Sequence, residues 1–220
     1  MYYACSTTRF ADLLSRRFYF MQKTEQKTSS WWESLFFSGA VAGKRQSHKI
    51  AYVAVICALC VVANTFEIKF IDVQFSLTIC VSALAGIVLG GALGFVACFL
   101  GDLVGFLYNS GGYMYMPWIG LSMGCIALLS GLIIGGVDLK IKGGLYIKLG
   151  VLSVATFLLC TVAINTTAFW ILYSKVPYFT YLIARIFVQG QIWNSVFNYA
   201  LLFVLVPTLK NVKALKLEIR

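Results

Sequence analysis

The stretch from Phe75 to Tyr108 contains a single charged residue, Asp102, among apolar and small residues. A helix needs about 20 residues to cross the hydrocarbon core of a bilayer, so this stretch is too long for one span and slightly short for two. The pair Gly90 and Gly91 in its middle predicts a tight turn between two helices. A segment with so few polar side chains predicts a protein that folds in a membrane.

The composition of the whole chain agrees with a membrane protein. Hydrophobic residues make up 60% of the 220 residues and charged residues 12%, against roughly a quarter charged in ordinary soluble domains. A net charge of +10 would suggest a nucleic-acid partner in a soluble protein, but most Lys and Arg residues flank apolar segments. Membrane topology therefore explains the basicity better than nucleic-acid binding does.

The apolar segments predict an all-α integral membrane protein with about six transmembrane helices within residues 48–210. The expected spans are residues 50–66, two helices within 75–108, and then 117–137, 145–173 and 181–206. Pro117 is well placed as the first residue of the fourth span. Residues 64–74 are too polar for a span and predict an extended loop.

The two ends of the chain differ from the apolar middle. Residues 1–47 are mixed and polar and predict a cytoplasmic or interfacial arm, with Met21 as an alternative start, and residues 211–220 form a basic tail. No cleavable signal peptide is evident, because Arg16 and Arg17 interrupt the first apolar patches. The excess of Lys and Arg on one side of the spans puts both termini in the cytoplasm, as an even number of spans also requires.

Small residues recur at helical spacing in this chain. Gly86, Gly90 and Gly94 are four residues apart, which lets helices approach at backbone distance. Ala54 and Ala58 in the first span have the same spacing and predict a closely packed helix contact.

The unusual polar and aromatic residues converge on the outer side of the predicted bundle. The candidate ligand-binding residues are Glu67, Lys69, Asp72, Gln74, Asp102, Asn109, Tyr113, Tyr115, Trp118, Arg185, Gln189 and Trp193. Convergent polar groups at one mouth predict a ligand pocket. Solvated loop charges and an interfacial aromatic belt are the alternative explanations for the loop residues.

Asp102 needs an explanation of its own, since a lone carboxylate among uncharged residues is costly in a membrane unless it is paired or wet. Lys69 or Arg185 would satisfy it as a structural partner. Direct contact with a ligand is the alternative.

The predicted sixth span carries a polar face. Arg185, Gln189 and Trp193 recur every four residues and predict one helix face, beside the polar pair Asn194 and Asn198. Such a face suits a flat, anionic or hydrogen-bonding ligand, because Arg grips a carboxylate and Trp stacks. Interhelical hydrogen bonding is the alternative role.

The sequence lacks the residues for histidine-based catalysis in the membrane and the phosphate-binding motif of a common class of ATPases. His48 is the only histidine and lies before the first span, so no His-based metal site or triad can be built in the membrane. No GxxxxGK[ST] sequence is present, and the chain cannot hydrolyse ATP by that route. The seven Cys are interpreted as packing residues. We therefore predict no catalytic residue, no metal site and no cofactor bound by this chain.

Residues 64–135 resemble the substrate-binding S components of energy-coupling factor (ECF) vitamin transporters, and their folate-family members most of all. The features that carry the resemblance are, in order, the loop NTFEIKFIDVQ, the stretch AGIVLG, the acidic GDLVGFL and the aromatic-proline loop MYMPW. The resemblance extends over about residues 48–210. Ala54 and Ala58 also match the family's Ala-x-x-x-Ala signature.

The resemblance implies that this chain would bind the substrate while other subunits would supply the energy for transport. An S component binds a vitamin in an outward-facing pocket formed by the first and third outer loops and helices four to six, and Arg185 would be the ligand-contacting basic residue. Ala54 and Ala58 would pack against a membrane coupling (T) subunit. Two cytoplasmic ATPases would use ATP to drive toppling of the S component in the bacterial inner membrane.

The sequence therefore predicts the binding subunit of a vitamin importer, with a folate-like ligand first. Pantothenate, riboflavin or another small metabolite are alternatives. A different class is an autonomous secondary carrier or channel, in which Asp102 would be the ion site. A membrane-embedded enzyme is disfavoured by the missing membrane histidine and the single buried acid.

Overall fold

The computed structural model describes residues 37–38, 41, 45–65, 67–70, 73–108, 114–136 and 143–210, with the backbone alone at 67–70, 73–75 and 210. In this part of the chain the fold is a helical bundle with one short β-hairpin. The predicted class, an all-α integral membrane protein, is confirmed.

The elements follow one another as α1 (Gln46–Thr65), β1 (Glu67–Phe70), β2 (Val73–Ser76), α2 (Thr78–Leu89), α3 (Gly91–Tyr108), α4 (Pro117–Gly135), α5 (Gly144–Tyr173), α6 (Tyr178–Val188) and α7 (Gln191–Lys210). Three of these helices contain π-helical segments, at Gly131–Gly135, Phe157–Thr166 and Ala184–Val188. Pro117 begins α4, as predicted.

Within the described residues, five helices are long and apolar enough to cross a membrane, namely α1, α3, α4, α5 and α7. The predicted second span, α2, has only 12 residues and rises about 18 Å, less than the ~30 Å of a hydrocarbon core. Most of its residues are buried, and it contributes to both main hydrophobic clusters. A helix that is apolar on every side belongs in the centre of a bundle, and α2 occupies that place.

The loop predicted to be extended forms an antiparallel hairpin in which Glu67 pairs with Ser76 and Lys69 pairs with Gln74. It connects the end of α1 to the start of α2. We call this end of the bundle the hairpin end and the end at which α1 starts the opposite end.

The turn between α2 and α3 lies at the opposite end and depends on Gly90. Its φ of 96° lies in the left-handed region, where side chains are strained, and a Cβ there would lie 2.6 Å from the backbone nitrogen of Ser38. The Ser38 N–H donates to the Leu89 carbonyl (3.1 Å) and so caps α2. Val41 is fully buried. Ser38 and Val41 therefore pack against the membrane domain, although the sequence analysis assigns them to the N-terminal arm of residues 1–47.

The glycines of α2, α3 and α4 lie where these helices meet. A Cβ on Gly86 would overlap the carbonyl oxygen of Ala127, and one on Gly94 would lie 2.8 Å from the Gly86 Cα. A Cβ on Gly131 would overlap the backbone nitrogen of Gly91. The predicted approach at backbone distance is confirmed, since no larger residue fits these positions without moving a helix.

The prediction of one continuous sixth span from about Tyr181 to Val206 is wrong. The helix α6 ends at Val188 and α7 begins at Gln191. Between them Gly190 has a φ of 68°, a left-handed conformation that ends a right-handed helix and that glycine adopts without strain.

Candidate ligand-binding site

Asp102 joins three segments at the hairpin end. Its side chain is buried, with 7% exposed, and its two oxygens accept hydrogen bonds from Asn64 Nδ2 (3.0 Å) and the Tyr115 hydroxyl (3.2 Å). Both donors are neutral. Arg185, one of the two predicted partners, contacts Tyr181 and Phe169 instead of Asp102, and the side chain of the other, Lys69, lies outside the described part of the structure. Through these hydrogen bonds the carboxylate on α3 links to the end of α1 and to the segment before α4.

Tyr115 is held in place just before α4. Burial, together with the neighbouring Asp102 carboxylate, raises the pKa of Tyr115 to about 12, so its hydroxyl stays protonated and remains a donor. Its ring packs against Phe106 with centroids 5.1 Å apart. A Cβ at Gly120 would lie 2.8 Å from Asp102 Oδ2, so a glycine lets the first turn of α4 approach the carboxylate.

On α4, α5 and α6, three buried polar atoms have no hydrogen-bond partner within the described part of the chain: Trp118 Nε1, Asn165 Oδ1 and Arg185 Nε. Ser82 on α2 and Ser195 on α7 each have one such atom as well. Phe169 contacts two of the first three side chains, because its ring centroid lies 6.0 Å from a Trp118 ring and 4.2 Å from the guanidinium carbon of Arg185. Asn165 lies one turn before Phe169 on α5. We call Trp118, Asn165, Phe169 and Arg185 the α4–α5–α6 cluster.

A hydrogen bond to Ser122 orients the amide of Asn165. Asn165 Nδ2 donates to Ser122 Oγ (3.1 Å), and Ser122 lies one turn after Trp118 on α4. The amide oxygen of Asn165 is therefore the end left without a partner. Asn165 also lies near the end of the π-helical segment of α5, and such segments are frequent at functional sites.

The guanidinium of Arg185 is held by neutral groups. Its Nη1 donates to the Tyr181 hydroxyl (3.3 Å), and its plane covers the Phe169 ring, an arrangement that stabilises a cation. Both contacts leave its charge uncompensated by a carboxylate among the described residues.

The cluster has the chemistry of a candidate ligand-binding site. A buried donor or acceptor that lacks a partner costs about 1–3 kcal/mol, and the cluster combines two N–H donors, one amide acceptor and an aromatic side chain. A flat ring with both carbonyl and N–H groups on its edge would supply the missing partners.

Of the residues predicted for the site, Trp118 and Arg185 are brought together, but Gln189 and Trp193 are not part of the cluster. Gln189 is exposed after the end of α6, and Trp193 on α7 is 62% exposed. The predicted common face of Arg185, Gln189 and Trp193 is wrong, because α6 ends at Val188 before Gln189 and the break at Gly190 separates Trp193 from α6.

The remaining predicted residues come from the sequence segments between the predicted spans. Three of them, Glu67, Lys69 and Gln74, lie in the β-hairpin, for which the structure describes the backbone. Others lie outside the described residues, namely Asp72, Asn109 and Tyr113.

Sequence reasoning missed Asn165 and Phe169. The signal for Asn165 is its amide within the otherwise apolar stretch INTTAFW, since an intramembrane polar side chain marks a functional or paired site. Phe169 carries no such signal, because an aromatic residue in an apolar span is most often a packing residue.

The polar pair on α7 fastens the hairpin to the bundle. Asn198 Oδ1 accepts the Cys80 N–H (3.0 Å), and its Nδ2 donates to the Ser76 carbonyl (2.7 Å). Asn194 Oδ1 accepts the Ser76 N–H (3.1 Å). Interhelical hydrogen bonding is therefore confirmed for this pair, which caps the first turn of α2 from across the bundle.

A helical membrane bundle with a polar and aromatic cluster at one end is the architecture expected of a membrane protein that binds a small solute. Residues 44–213 match the family model described as "ECF-type riboflavin transporter, S component". The chain belongs to this family of S components. It is a transport subunit and not an enzyme, and the predicted family is confirmed.

The fold is also that of a solved S component. The crystal structure of FolT bound with folic acid is similar with a TM-score of 0.58 and 17% sequence identity, over 72% of this chain and 92% of FolT. At this identity the likeness concerns the fold. No curated protein sequence matches the chain.

Proposed function

We propose that the chain is the substrate-binding subunit of an ATP-driven ECF importer and that it binds a flat heteroaromatic vitamin, of the riboflavin type first. The α4–α5–α6 cluster carries this proposal, because Trp118, Asn165 and Arg185 each retain a buried polar atom without a partner. A flavin ring has carbonyl groups and an N–H on one edge. These groups match two N–H donors and one amide acceptor, and the family is named for riboflavin.

A folate-type vitamin is the second candidate. The observation that favours it is the charge of Arg185, whose described contacts are a tyrosine hydroxyl and an aromatic ring. Folate carries carboxylates, which pair strongly with guanidinium groups, whereas riboflavin is uncharged.

An autonomous carrier with Asp102 as its ion site has less support. Both oxygens of this carboxylate already accept hydrogen bonds from Asn64 and Tyr115. Uptake would instead draw on a coupling (T) subunit and two ATPases, which use ATP outside this chain.

The proposed setting is a bacterial cell membrane with both termini in the cytoplasm and the hairpin end outside. Four described cations, Arg45, Lys49, Lys148 and Lys210, lie towards the opposite end of the bundle, whereas three, Lys69, Lys175 and Arg185, lie towards the hairpin end. The larger number of cations towards the opposite end favours this orientation.

Native mass spectrometry of the purified chain with equal amounts of riboflavin, folate, pantothenate and thiamine tests the ligand. We expect one riboflavin per protein. A folate complex would support the second candidate instead, and recovery of lipid alone would contradict the proposed vitamin-binding role.

A substitution on the exposed face of α1 tests whether this helix packs against a coupling subunit. Ala54 and Ala58 are exposed, so the described residues leave this small-residue face accessible, and it suits a closely packed partner helix. Ala58→Trp is expected to leave vitamin affinity unchanged and to remove most uptake in cells that express the ATPases and coupling subunit. Affinity is measured on purified protein and uptake with labelled vitamin.

Ala200→Trp is the matched control, because Ala200 is also an exposed alanine on a spanning helix, α7. It is expected to retain both binding and uptake. Equal loss of binding and uptake in Ala58→Trp would show that the α1 face serves folding instead.

A further inference from the structure

A groove of about 490 Å³ lies at the opposite end of the bundle, between the starts of α1 and α3. Its lining consists of Phe37, Gln46, Lys49, Ile50, Val53 and Leu93. The ammonium group of Lys49 lies 4.3 Å from the centroid of the Phe37 ring. The groove therefore combines one cation with largely apolar walls.

The walls of the groove continue along a membrane-facing helix. α1 is long and apolar enough to cross a membrane, and Ile50, one residue after Lys49, is 66% exposed. Val53 follows one turn later and is half-buried. Along α1, a cation at the start of the helix is thus followed by apolar side chains. An anionic lipid has the complementary order, with a charged head group followed by an acyl chain.

The charge around the groove favours an anion. No acidic residue occurs between Ser34 and Phe66, and Arg45 is exposed one turn before Lys49. A zwitterionic lipid would bring a second cation towards this basic segment, whereas an anionic lipid brings net negative charge.

We propose that this groove binds one anionic phospholipid, with its phosphate at Lys49 and an acyl chain along Ile50, Val53 and Leu93. The site is separate from the α4–α5–α6 cluster and does not depend on which vitamin that cluster binds.

Native mass spectrometry of the full chain in detergent tests the proposal with phosphatidylglycerol and phosphatidylcholine of identical acyl chains. We expect one tightly bound phosphatidylglycerol, with an affinity about tenfold above that for phosphatidylcholine. Lys49→Gln is expected to abolish this preference. Lys175→Gln is the matched control, because Lys175 is an exposed cation at the hairpin end, and it should preserve the preference.

Val53→Trp provides a second variant, since an indole would fill the groove and should displace the bound lipid even where the charge remains. Equal affinity for the two lipids in the wild type, or an unchanged preference in Lys49→Gln, would overturn the proposal. Displacement of the lipid by soluble glycerol phosphate would assign the site to a free phosphate. Protection of a cysteine placed at Val53 only in the assembled importer would assign the groove to a protein partner, and either result would overturn the lipid assignment.

Discussion

Replacement of Arg185 by methionine is expected to weaken vitamin binding about a hundredfold while the stability of the unliganded protein changes little. The Nε–H of Arg185 is buried without a partner in the described residues, so the bond it makes forms only with ligand. A hydrogen bond from a charged donor contributes about 1.5–3 kcal/mol, and each 1.4 kcal/mol is about tenfold in affinity. Titration of purified protein with vitamin, monitored by fluorescence or calorimetry, measures the change.

Lys175→Met is the control for this result, because it removes an exposed cation between α5 and α6, and its affinity should equal that of the wild type. An affinity of Arg185→Met within threefold of the wild type would remove Arg185 from the site. A matching fall in thermal stability would assign it a structural role.

Arg185→Lys separates the two ligand candidates. Lysine keeps the charge but lacks the planar array of donors of a guanidinium. With a carboxylate-bearing vitamin, Arg185→Lys should retain part of the affinity that Arg185→Met loses. With an uncharged flavin, the two variants should bind equally weakly.

Asn198→Leu is expected to lower the free energy of unfolding by about 2–6 kcal/mol. The substitution keeps a side chain of similar size but leaves the Cys80 N–H and the Ser76 carbonyl without the partners that they have now. Each unsatisfied buried group costs about 1–3 kcal/mol, and no water is available in a bilayer to replace the lost bonds. Denaturant unfolding in detergent micelles measures the loss.

Thr208→Val is the control on the same helix. The hydroxyl of Thr208 is exposed and donates only to carbonyls of its own helix, at Val204 and Leu205, so its loss should change stability by less than about 0.5 kcal/mol. Unfolding of Asn198→Leu at the wild-type denaturant concentration would show that the hairpin does not depend on α7. Faster proteolysis of residues 67–76 in this variant, without global unfolding, would locate the effect in the hairpin.

The features that the sequence predicts correctly depend on local chemistry. The stretch 75–108 was expected to fold into two helices with a turn at Gly90, because only glycine readily adopts a positive φ. Pro117 was expected to start a helix, because its missing N–H costs nothing in the first turn. Both features depend on residue type and on neighbours in the chain.

The partners of Asp102 show where sequence reasoning stops. Its cost in a membrane predicts that a partner exists, and charged residues are the first choice by residue type. The structure supplies Asn64 and Tyr115 instead, from segments before and after α3. Neutral donors carry no signal in the sequence that distinguishes them from other asparagines and tyrosines.

The sequence by itself determined that the chain folds in a membrane, where α2 turns into α3, where α4 begins and which family it resembles, because these properties follow from hydrophobic runs, turn residues and short motifs. Only the tertiary structure decided the composition of the site. Gln189 follows the end of α6, and the break at Gly190 separates Trp193 from this helix. Packing of α4, α5 and α6 brought Trp118 and Arg185 into contact with Phe169. An unpartnered buried atom arises from the packing of segments that are distant in the chain, and local periodicity does not record that packing.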